Sequence, residues 1–84
     1  MYVVVKNEWV IEPHIATAIL CLTESFEQAD SVYLDYIEKY VKAHETKKAI
    51  VETHNGFSIV RHLYGYCTIG IHAIPVYKEV EVQI

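Results

Sequence analysis

Ile50-Val51-Glu52-Thr53-His54-Asn55-Gly56-Phe57-Ser58-Ile59-Val60-Arg61 carries an Asn-Gly pair between two runs rich in β-branched and aromatic residues. Asn-Gly is the strongest short hairpin signal, because a type I′ turn needs positive φ at both central positions and these two residues tolerate it best. A two-residue loop there sets a register in which His54 faces Phe57, Thr53 faces Ser58, Glu52 faces Ile59, Val51 faces Val60 and Ile50 faces Arg61. A second tight turn at Tyr64-Gly65 extends it, placing His62 opposite Cys67, Val60 opposite Ile69 and Phe57 opposite His72. Both registers agree on one dry face made of Ala49, Val51, Val60, Cys67, Ile69, Ile71 and Ala73. The prediction is a β-meander over about 49–74. Beyond Pro75, clean alternation from Val76 to Ile84 predicts a last strand over 76–83.

A dry sheet face needs a cover, and the segment before the meander supplies one. At about 100° per residue, Phe26, Ala29, Tyr33, Ile37, Tyr40 and His44 fall on one stripe, flanked by Tyr36 and Val41. Acids lead this segment (Glu24, Glu27, Asp30, Asp35, Glu38) and bases trail it (Lys39, Lys42, Lys47, Lys48), the order that the helix dipole favours. Ser25 with Gln28 three residues on is a capping box. An amphipathic helix over about 25–44 follows. Its tyrosines read as aromatic filling between helix and sheet, with a docking strip for a partner as the functional alternative.

Upstream, Val-rich Tyr2 to Lys6 reads as a strand over 2–6, Asn7-Glu8 as a turn, and Trp9-Val10-Ile11 as a second extended piece. Pro13 marks an edge or a bulge, since it has no N–H for a ladder. Ile15 to Leu22 fits two templates. The 4-3 spacing of Ile15, Ile19, Leu22, Phe26 and Ala29 resembles a coiled-coil seam, but Thr23-Glu24-Ser25 is a poor helix interior and a good helix start. We therefore read a strand over 15–22, apolar on both faces and so expected at the covered centre of a sheet. The whole is one α+β domain, 1–84, with the helix packed on a mostly antiparallel sheet.

The second face of the meander decides the functional reading. The register puts Ile50, Glu52, His54, Phe57, Ile59, Arg61, Leu63, Tyr66 and His72 there. A sheet face left open to water should be polar, and this one is not. Phe57, Ile59, Leu63 and Tyr66, rimmed by Glu52, Arg61, His54 and His72, have the composition of a protein contact surface. The structural alternative is that the N-terminal strands, Trp9 included, fold over it.

Residue chemistry argues little else. Of the five histidines, His54 and His72 share the open face with Glu52, which makes a weak candidate metal or small-molecule site. The close His and Cys spacings that zinc favours do not occur. Cys67 opposite His62 would be a minimal thiol–imidazole pair, but both fall on the core face, where cysteine is ordinary packing. Glu79 and Glu81 alternate toward solvent, and no Gly-rich phosphate loop exists. Eleven acidic against seven basic residues give a net charge of −4, which disfavours nucleic acid. Spanning a bilayer takes about 20 apolar residues, and the run Ile15 to Leu22 has eight.

Two cysteines in a chain this small suggest reduced thiols and a cytoplasmic setting. These readings converge on a non-catalytic interaction protein without a cofactor, expected to be a homodimer. Its partner-binding residues are Phe57, Ile59, Arg61, Leu63, Tyr66, His54 and His72, and it would act as an inhibitor or modulator that masks another protein. Compact acidic chains of this size recur among accessory proteins, virus-encoded modulators included, an analogy of size alone.

Overall fold

The computed structural model describes residues 1–10 and 14–75. Strand β1 (Tyr2–Val10) pairs antiparallel with β2 (His14–Thr23), and the helix α1 (Phe26–Ala43) follows. A 3-10 turn at Glu45–Lys47 leads into β3 (Ile50–His54), β4 (Phe57–His62) and β5 (Gly65–Ala73). The five strands form one antiparallel sheet in the order β2-β1-β5-β4-β3, with α1 across one face. This is the expected α+β architecture. The predicted last strand over 76–83, with Ile11 and Pro13, lies outside the described residues.

Helix α1 starts where its cap permits. The Ser25 hydroxyl accepts from the Gln28 amide at 3.3 Å, while the Gln28 side chain accepts instead from the Thr23 hydroxyl at 2.8 Å. Ala29, Tyr33 and Tyr40 are its buried residues, and they meet Val4, Val60, Cys67 and Ile69 of the sheet. The phenols are satisfied inside this contact: Tyr33 with the hydroxyl of buried Ser58, and Tyr40 with His62 Nε2 at 3.1 Å. The Lys6 ammonium lies 5.6 Å from the Tyr36 ring centre. The helix tyrosines are core filling.

The first hairpin holds the expected register at all five pairs, from His54–Phe57 to Ile50–Arg61. Its turn differs from type I′. Gly56 has φ +87, whereas Asn55 stays in the negative region, so only the second position demands glycine, the type II pattern.

The second hairpin turns one residue earlier than Tyr64-Gly65. Leu63-Tyr64 forms the loop, His62 pairs with Gly65, Val60 with Cys67 and Phe57 with Gly70. Every pair therefore moves by two positions, which changes partners but preserves faces. The cause is tertiary, because Gly65 is needed inside the strand, where the Trp9 carbonyl of β1 crosses it too closely for any side chain.

The N-terminal part departs most from expectation. β1 runs through Asn7-Glu8 without a turn. Among the described strands β2 stands at the edge of the sheet, not at its centre. The register between β1 and β2 shifts at Val4/Val5, and Leu20 is the additional residue of the resulting bulge. Simple alternation would pair Cys21 with Ile19 and Leu22 with Leu20 on shared faces. The bulge instead puts Leu20 and Cys21 together against the core and leaves Leu22 beside Ile19 on the opposite face. These strands extend the sheet sideways and do not fold over it.

Candidate functional site

Register and helix contacts divide every strand into a helix side and an open side. On the open side, β1 presents Val3, Val5, Asn7 and Trp9, flanked by Ile19 and Leu22 from β2. Tyr66, Thr68, Gly70 and His72 of β5 come next, then Phe57, Ile59 and Arg61 of β4. Ile50, Glu52 and His54 of β3 complete the face. Glu52 and Arg61 are its only charged residues among those described, and both sit toward the β3 edge. Elsewhere the face is hydrocarbon, aromatic ring, amide or hydroxyl.

Much of that hydrocarbon is in water. Ile19 is 69% exposed, Leu22 61% and Ile50 69%, with Trp9, Tyr66 and Phe57 each at 40%. Trp9 stacks on Tyr66 with centroids 5.8 Å apart, and Phe57 stacks on His54 at 4.8 Å. Paired flat rings of this kind form a rigid platform with little side-chain entropy left to lose on contact. At the rim, Glu52 accepts from His54 Nε2 at 2.9 Å and has the Arg61 guanidinium 3.7 Å away. These surface ion pairs are loose and contribute little to folding.

The residues expected from sequence are thus brought together in part. Phe57, Ile59, Arg61 and Tyr66 lie on one continuous surface with His54 and His72, while Leu63 sits in the β4–β5 loop at its end. Trp9, Ile19 and Leu22 were missed as members of this face. Their signal was present, because a strand apolar on both sides predicts two covers, and the described residues supply only one.

The weaker chemical candidates come apart. Among the described residues no three His, Cys, Asp or Glu side chains converge as metal ligands; His54 and Glu52 bond to each other. Cys67 faces Val60, not His62, and burial pushes its thiol up to about 11, far from the thiolate a nucleophile needs. Among the described residues no helix is long and apolar enough to cross a membrane.

A second cluster closes the other end of α1. Tyr40, His44 and His62 stack, with the two imidazoles 4.5 Å apart and Tyr40 4.1 Å from His44. His62 Nδ1 accepts the Tyr64 amide at 3.2 Å, so its neutral form carries the proton on Nε2 and donates to the Tyr40 hydroxyl. Protonation would set an N–H against that amide, beside His44 and Lys47. Desolvation first, then these two neighbours, hold His62 below its ordinary 6.5, with Glu8 opposing.

The folded state therefore binds fewer protons than the unfolded one. This contribution to stability is complete above the unfolded value of 6.5 and is lost as pH falls from there through the lower folded value. Urea midpoints should drop across that window in the native chain, and the drop should shrink in His62→Asn. An equal drop in both would refute the assignment.

With the fold and face described, comparison with known proteins adds no relative: no family model, no curated protein and no solved structure matches this chain. The fold and face themselves define an α+β protein with one sheet surface covered by α1 and one that no described element covers.

Proposed function

We propose that this protein is a non-catalytic interaction module that self-associates through the open sheet face. The reading rests on one observation: a five-stranded surface on which, among the described residues, only Glu52 and Arg61 are charged, opposite α1. The five strands, of 5 to 10 residues each and about 4.8 Å apart, cover roughly 600 Å², somewhat under the ~800 Å² per partner of a standard interface. Glu52 and Arg61 lie diagonally across the Val51–Val60 pair, so a two-fold axis running across the strands at that level would carry Arg61 of each copy toward Glu52 of the other. That makes the surface complementary to itself. Such a dimer would serve as an inhibitor or modulator that masks a partner protein, without turning over substrate. Cys21 and Cys67 are both free, which suits a reducing cytoplasm.

Trp9, the sole tryptophan, reports the cover directly. Its emission should shift to longer wavelength on dilution from about 100 μM to the nanomolar range, as the dimer dissociates. Ile19→Glu removes no internal packing, since Ile19 is 69% exposed. The buried, unpaired carboxylate should nevertheless weaken association by about a hundredfold or more. Emission typical of exposed tryptophan at every concentration, unchanged by Ile19→Glu, would exclude self-association through this face.

A further inference from the structure

A cavity of about 320 Å³ opens between the first turns of α1 and the tip of the β3–β4 hairpin, on the helix side of the sheet. Its walls include three aromatic rings, Tyr2, Phe26 and Tyr33, over a floor of Ile71 and Ala73. Tyr2 and Phe26 meet edge to face with centroids 5.4 Å apart. Tyr33 is held in place by its bond to Ser58. Asp30 also lines the cavity, one helical turn beyond Phe26 and one before Tyr33, and its carboxylate has no ion-pair partner among the described residues.

We propose that this cavity binds a quaternary ammonium group. Ring faces carry negative quadrupole density that attracts a diffuse cation, and several rings around one carboxylate recognise methylated ammonium better than a neutral hydrocarbon. An anion would meet Asp30, and the Ser25 hydroxyl already takes the Gln28 amide at the helix N-terminus. Among the described residues no lysine or arginine lines the walls, and the lining His54 is bonded to Glu52. A hydrated divalent metal needs several oxygen ligands, and no such group of three converges among the described residues. The volume lies within the range of small-molecule sites and accommodates a trimethylammonium head with a short chain.

Choline chloride titrated into the isotopically labelled protein tests this. Amide resonances of Asp30, Gly56 and Ala73 should move together and saturate in the millimolar range. The uncharged isostere of choline, with a tert-butyl group replacing trimethylammonium, should leave them in place. Asp30→Asn should weaken choline about tenfold, and Phe26→Leu, which keeps apolar volume but removes a ring, should weaken it severalfold. Nα-acetyl-trimethyl-lysine amide in parallel separates a free metabolite from a modified side chain, and tighter binding of either supports the site. Equal binding of the neutral isostere, absence of saturable shifts with both cations, or unchanged affinity in Phe26→Leu would overturn it.

Discussion

Gly65→Ala is expected to cost this protein about 3 kcal/mol or more of stability, enough to leave a small domain largely unfolded. A Cβ built on Gly65 would lie 1.9 Å from the Trp9 carbonyl oxygen, 2.9 Å from its carbon and 3.0 Å from the Val10 Cα. All three are backbone atoms of the neighbouring strand, so no rotamer change relieves the clash. β1 and β5 must separate at that end, breaking the Val10–Gly65 pair and the Trp9–Tyr66 stack beside it. Gly56→Ala makes the control. Its φ of +87 disfavours any side chain, yet a Cβ there meets nothing nearer than the Ile71 carbonyl oxygen at 4.0 Å. It should therefore lose only about 1–2 kcal/mol, the cost of a left-handed L-residue. Urea denaturation of both variants should rank Gly65→Ala as clearly the worse, and the reverse order would contradict the strand packing.

Ile69→Ala should cost a further large amount, about 3–4 kcal/mol, by the usual scale for truncating a buried aliphatic side chain. Ile69 is fully buried in β5, between Ser58 of β4 and Lys6 of β1. It packs in a core whose other members are few: Val4, Ala29, Tyr33, Tyr40, Val60 and Cys67. With so thin a core, no neighbouring apolar layer can collapse into the void. Under the proposed self-association, binding of a second copy would offset part of that loss by mass action. The urea midpoint of Ile69→Ala should rise with protein concentration, and a loss below about 1 kcal/mol would show that the site is not the core we describe.

Much of this architecture was legible in the residues because its determinants are local. Asn55-Gly56 sets the first hairpin, and all five pairs follow from it. The helix follows from its apolar stripe and the Ser25 cap. The two sheet faces survive even the misplaced second turn, since a two-residue shift leaves side-chain direction unchanged. What escaped reading depends on contacts far apart in sequence. Gly65 reads as a turn glycine until β1 is known to cross it, and the Leu20 bulge exists only against Val4/Val5. Among the described strands β2 falls at the edge, so its second apolar side, read as central burial, became an exposed surface. The stacked Tyr40, His44 and His62 could be half anticipated from the i,i+4 pair on the helix, but His62 arrives from β4.

Sedimentation equilibrium of the native chain at about 10 μM, a concentration at which standard-sized interfaces are commonly occupied, weighs the proposal most directly. The open face predicts a particle of twice the 9.7 kDa chain mass, falling to a single chain in Ile19→Glu. A native chain that sediments at 9.7 kDa, with Ile19→Glu indistinguishable from it, would contradict self-association through this surface.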